Sequence, residues 1–251
     1  MLTRKKVSAI IQARMGSTRL PNKVLMDIER MPLLWHIIHR LGFSREIDEI
    51  ILAIPDTPNN DVLEQFAKQY KVKYFRGSEE DILLRYYQAA KKFSCEIIVR
   101  ICADRPVVDP KVADLVIKKH LSGNVDYTSN NLQQTFPLGL EIEVFNMNVL
   151  QRAHREGTEP YQREHVTPYI YLHPELFKLQ NIQAEGLLRR PEIRLTVDTK
   201  EDFALISQIY KHLNVSQNVF STKAIINLLD KHPELKKLNN NIKQKPLNHE
   251  S

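Results

Sequence analysis

The chain has 251 residues, 42% hydrophobic and 26% charged, with a formal net charge of +6. That supports a sizeable core and excludes wholesale disorder. No apolar run approaches the ~20 residues of a membrane span, and the short run after the basic start does not read as a signal peptide. The expected location is therefore the cytoplasm, with no membrane partner.

The run 7–11 reads as a buried strand. It stops at a loop carrying Arg14, Arg19 and Lys23, with Gly16, Ser17 and Thr18 between them. Cations and small residues on a strand-to-helix turn suit a triphosphate. Small residues let backbone N–H groups approach the oxygens, and cations neutralise their charge. The loop has neither Walker A spacing nor a dinucleotide glycine fingerprint, so a solvated basic loop is the alternative.

Leu33, Leu34, Ile37, Ile38 and Leu41 predict a helix over 33–41. His36 and His39 lack a third ligand nearby and read as surface histidines, and Trp35 reads as core. A second strand is expected at 47–54, and a turn at 55–60 whose Asn59 or Asn60 caps a helix over 61–70. A third strand follows at 72–75. Ser78 and Asp81 form an S-x-x-D capping box ahead of a helix at 82–93.

The fourth strand, 97–102, contains one charge, Arg100, which must reach a carboxylate or a ligand. Cys95 and Cys102 read as buried free thiols. Asp109-Pro110 opens a helix at 111–121. Strands alternating with helices predict an α/β protein with a mainly parallel sheet.

The pattern then changes. Extended segments at 126–144 surround Pro137-Leu138-Gly139, and helices follow at 146–155 and 161–172. A strand is expected within 176–182. The apolar segment 193–197 ends at Asp198, and a helix starts at 199. One domain is expected over 1–235, with a small hairpin-and-helix insertion at about 126–175. Residues 236–251 read as a disordered polar tail. The excess basic residues lack interleaved aromatics, so no nucleic-acid partner is expected.

Open parallel sheets bind ligands at the carboxyl ends of their strands. A cationic loop facing carboxylates there describes a metal–triphosphate site. Asp104 either binds Mg²⁺, pairs with Arg105 or caps a turn. Asp198 is either a second metal carboxylate or a helix N-cap. Arg163, Glu164 and His165 either read a polar substrate or belong to a helix at a dimer contact.

The segment 11–23, Ile-Gln-Ala-Arg-Met-Gly-Ser-Thr-Arg-Leu-Pro-Asn-Lys, resembles the opening motif of the cytidylyltransferases that activate acidic sugars. Segments 76–86, 100–106, 163–169 and 196–202 are similar to the branch typified by the spore-coat polysaccharide biosynthesis protein SpsF. The resemblance spans roughly 7–212. It implies a nucleotide-diphospho-sugar-transferase (Rossmann-like) fold, usually a homodimer. It further implies that Arg14, Ser17, Arg19 and Lys23, with Ala13 and Gly16 in the same loop, hold the triphosphate of CTP. Ala53, Arg76, Gly77 and Ser78 would border the base, and Asp104 and Asp198 would hold Mg²⁺. Arg100, Arg105, Glu143, Arg163, Glu164 and His165 would face the acceptor.

Octulosonate enzymes carry Gln-Gly-Asp-Glu-Pro where this chain has Cys102-Ala103-Asp104-Arg105-Pro106, which weighs against octulosonate as acceptor. The expected reaction joins CTP to a sugar or sugar acid with release of pyrophosphate, with Arg14, Lys23, Asp104 and Asp198 as its catalytic groups. GTP with a sugar phosphate, a glycosyltransferase using a nucleotide sugar and a non-catalytic basic module are the alternatives.

Overall fold

A computed structural model describes residues 4–213 and 219–244. The elements are β1 (Val7–Gln12), β2 (Asp27–Ile28), β3 (Met31–Pro32), α1 (Leu33–Leu41), β4 (Glu49–Pro55), α2 (Asp61–Gln69) and β5 (Lys73–Gly77). Next come α3 (Ile82–Lys92), β6 (Ile97–Cys102), α4 (Pro110–Ser122), β7 (Tyr127–Ser129), β8 (Glu143–Asn146) and α5 (Met147–Glu156). The chain continues through α6 (Pro160–His165), α7 (Pro168–Tyr171), β9 (Leu179–Asn181), α8 (Lys200–Leu213), α9 (Thr222–Lys231) and α10 (Pro233–Lys236).

Seven strands form one sheet in the order β5-β4-β1-β6-β8-β7-β9. The strands β5, β4, β1 and β6 run parallel, as helical crossovers require. The change of pattern after residue 126 is the switch to antiparallel pairing, of β8 with β6 and of β7 with β8. Side chains alternate across the sheet. Val7, Ala9 and Ile11 enter one core with Val99 and Ile101, under α1, α4, α8 and α9. Ile10 and Ile98 enter the other, with Tyr86, Phe145 and Ile170. Both faces being covered explains the continuous apolar runs of β1 and β6.

Several expectations need correction. The helix expected over 161–172 is two helices, because Val166 takes φ 72° and Pro168 opens the second. The cap of α3 is Asp81, which accepts from Leu84 N at 2.8 Å, while Ser78 Oγ accepts from Asp81 N. Asn60 does not cap α2 through its side chain; its Oδ1 accepts from Met15 N at 2.9 Å and braces the β1 loop. His36 is buried and bonds Ile28 O, whereas half-buried Trp35 stacks on His39. Segment 193–197, expected only as an apolar stretch, bridges to Leu138 through Arg194.

In the polar stretch after α10 most of the described residues are exposed. Asn239 is buried and donates to Arg194 O and Asp202. Residues 245–251 lie outside the described residues. No described helix is long and apolar enough to cross a membrane.

Candidate active site

The carboxyl ends of β1 and β6 open into a cleft of about 1460 Å³. Gln12 at the end of β1 is in register with Cys102 at the end of β6, so the loops that follow leave the sheet side by side. The first loop brings Ala13, Arg14, Ser17, Arg19 and Lys23 to the cleft wall. Met15 O closes this loop by accepting from Ser17 N at 2.9 Å and Asn22 N at 3.3 Å. Asn22 sits in the left-handed region at φ 59° and turns the chain into the short helical turn Lys23–Leu25.

Asp104 and Asp198 line the same cleft. Their segments are joined through the backbone: Val197 N donates to Asp104 O at 2.8 Å, and Thr196 Oγ1 donates to the same oxygen at 3.1 Å. Asp198 Oδ1 accepts from Lys23 Nζ at 2.9 Å and lies 3.0 Å from Arg19, while Oδ2 accepts from Arg194 at 2.9 Å. Burial pushes the Asp198 carboxyl up, but Lys23, Arg19 and Arg194 outweigh it and hold it below the usual carboxylate range. Asp104 differs: its Oδ1 is buried without a hydrogen-bond partner, and the nearest guanidinium nitrogen, on Arg105, is 3.8 Å away.

Hard carboxylate oxygens suit Mg²⁺, and an orphaned buried one at Asp104 is consistent with a cation ligand. Asp198 has the right chemistry but its charge is already compensated. Among the described residues no group of three or more His, Cys, Asp and Glu side chains is arranged around one metal position.

On the other side of β6 lies a buried polar floor. Arg100 pairs with Glu143, its register partner on β8. Glu143 also accepts from Tyr127 at 2.7 Å and Thr167 at 2.6 Å. Burial opposes its ionisation, yet Arg100 and the two hydroxyls keep its pKa low. Arg105 donates to Glu141 O at 2.6 Å and lies 3.1 Å from Glu141 Oε2. Both guanidinium groups therefore reach the cleft already paired. Glu164 and His165 line its rim.

Other candidate residues lie elsewhere. Arg76 is bound to Asp61 and Glu64 at 2.6 Å each, outside the cleft. Ala53 is buried within β4, and Gly77 packs against Phe75 and Arg85. Ser78 serves the turn before α3. Arg163 pairs with Asp81 at 2.5 Å and donates to His154 O, a brace between α3 and α5. Gly16 faces Glu79 on the exposed side of its loop.

Sequence reasoning missed Arg194, Asp202 and Gln12. Arg194 carries the same signal that marked Arg100, a lone charge in an apolar run. Its Nε donates to Asp202 Oδ1 at 2.8 Å, and Asp202 Oδ2 accepts from the backbone of Asp198 at 3.0 Å and Thr199 at 3.2 Å. Asp202, three residues after Thr199, thus holds the start of α8 and fixes Asp198 at its head. Gln12 lines the cleft with its Oε1 buried and unpartnered.

Comparison with known proteins bears on the family and the fold. A family profile described as cytidylyltransferase matches residues 8–229. The chain is 40% identical over 240 residues to an uncharacterised protein of Methanocaldococcus jannaschii, covering 96% of this chain and 97% of that one. It is 37% identical over 230 residues to the spore coat polysaccharide biosynthesis protein SpsF of Bacillus subtilis, covering 90% and 94%. A solved cytidylyltransferase from Leptospira borgpetersenii superposes with a TM-score of 0.88 at 32% identity, covering 97% and 100%. A sheet-end cleft with a cationic loop and two aspartates, on a chain matched almost end to end, leads to one assignment: this protein belongs to the cytidylyltransferase family.

Proposed function

We propose that this chain couples CTP to a sugar or sugar acid, releases pyrophosphate, and serves surface polysaccharide or glycoconjugate synthesis. The observation that carries the reading is the contact of Lys23 and Arg19 with Asp198 inside one cleft. It puts a polyphosphate-binding charge and a carboxylate within reach of the same ligand.

An acceptor oxygen attacks the α-phosphorus in line, the bond to the bridging oxygen breaks, and pyrophosphate leaves. The new charge collects on phosphate oxygens, so catalysis consists of positioning and neutralisation. Arg14, Arg19 and Lys23 neutralise the leaving group. Mg²⁺ held by Asp104 and Asp198 would neutralise phosphate oxygens when bound. Glu143 stays ionised and anchors Arg100, so the acceptor meets paired charges and hydroxyl groups along the floor. The similarity to SpsF supports a role in polysaccharide synthesis.

The test is a pyrophosphate-release screen with CTP and GTP, with Mg²⁺, across sugar acids and sugar phosphates. Release with CTP and at least one acceptor is expected. Transfer from a finished nucleotide sugar, with no release from CTP in any arm, would refute the reading.

A further inference from the structure

The two oxygens of Asp198 have partners of different kinds. Oδ2 is bound by Arg194, whose side chain is 8% exposed and whose other donors are committed. Nε and Nη2 go to Asp202 at 2.8 and 3.0 Å, and Nη1 goes to Gln244 at 2.7 Å. Asp202 is itself held by Asn239 at 2.9 Å. Apart from the exposed Gln244, the residues of this arrangement are buried. Oδ1 is bound by Lys23 and Arg19, which line the open cleft; the Arg19 side chain is 30% exposed, while that of Lys23 is 12% exposed and its Nζ also donates to Val197 O at 2.7 Å.

We infer that Asp198 Oδ1 is a masked ligand oxygen, covered by Arg19 and Lys23 in the free protein and uncovered when polyphosphate draws those cations away. The inference rests on the reading that this cleft takes a nucleoside triphosphate. A triphosphate offers several anionic oxygens to each cation, against one oxygen on Asp198. A divalent cation cannot share Oδ1 with an ammonium and a guanidinium about 3 Å away, because like charges repel steeply at that range. Once the cations turn to phosphate, Arg194 keeps Oδ2 in place and Oδ1 becomes a free hard oxygen in the cleft that Asp104 also lines. The divalent-cation site is therefore completed by nucleotide. By linkage, nucleotide and metal each strengthen the binding of the other.

The test uses Mn²⁺ as probe, read from the electron paramagnetic resonance of the free ion, with the whole chain and no nucleotide. Arg19→Met/Lys23→Met should bind Mn²⁺ about tenfold or more tightly than the wild type, because two cations beside the ligand oxygen are gone. Each single substitution should give part of the gain, and adding Asp198→Asn should abolish it. Thermal shift with CTP and EDTA runs in parallel. If CTP stabilises the wild type but the double and single variants gain no Mn²⁺ affinity, the masking is wrong and the nucleotide reading stands. If CTP does not stabilise the wild type, both fall.

Discussion

Asp104 and Arg76 make the sharpest contrast between single residues. Asp104 lines the cleft with an unsatisfied carboxylate oxygen, whereas Arg76 spends its charge on Asp61 and Glu64. Asp104→Asn should lower kcat by about a hundredfold or more, as expected for losing a group that acts on transition-state charge. Arg76→Ala should change kcat/KM less than about threefold, because the pair it breaks is at the surface. Steady-state pyrophosphate release measures both. The sequence separated these residues poorly, since a strand-end position does not say which way a side chain turns. Arg163 shows the same difficulty. It stands in a polar, motif-like run, yet its partner is Asp81, 82 residues away.

At the scale of elements, the turn around Gly139 controls how the Asp198 segment is held. Gly139 has φ +103°, and a Cβ there would lie 2.7 Å from Leu195 C and Thr196 N. Its N–H donates to both Glu141 carboxylate oxygens, at 2.9 and 3.0 Å. A side chain would force the hairpin off the strand-like segment that leads to Asp198. Gly139→Ala should lower Tm by roughly 4–12 °C, corresponding to about 2–3 kcal/mol, measured by thermal denaturation. It should also reduce turnover more than affinity for CTP, since the cationic loop is untouched.

The parallel half was legible for local reasons. Short apolar runs mark β1 and β6, helical spacing marks α1, and Asp109-Pro110 marks the start of α4, where Asp109 accepts from Lys111 N at 2.9 Å. The half after residue 126 was read as extended segments around a turn and a strand within 176–182, without partners, because the pairing of β6, β7, β8 and β9 is set by contacts that no local pattern encodes. The break at Val166 was equally hidden, since a valine at positive φ contradicts its intrinsic preference.

Across the whole molecule, the cleft was legible because the α/β alternation fixes where strand ends converge. The contact of Asn239 and Gln244 with Arg194 was not, because two polar residues in a polar stretch carry no signal until Arg194 is seen beside them. Folding also leaves a global pH signature. His120 is buried against Thr128, and burial lowers its pKa from 6.5 to about 4. Between those values the unfolded chain binds a proton that the folded protein refuses. The His120 contribution is fully present above pH 6.5 and is lost as pH falls toward 4. Urea unfolding at pH 7 and pH 5 should show the wild type losing roughly 2 kcal/mol more than His120→Asn. Equal losses would mean that His120 is protonated at little cost in the fold.

The loop after β1 is expected to hold a polyphosphate opposite Asp104 and Asp198. Isothermal titration with CTP and CMP, in the wild type and in Arg14→Ala/Lys23→Ala, tests it most directly. The wild type should bind CTP about tenfold or more tightly than CMP, and the double variant should lose most of that difference while still binding CMP. Equal affinity of the wild type for CTP and CMP, or a preference for CTP that survives both substitutions, would contradict the account.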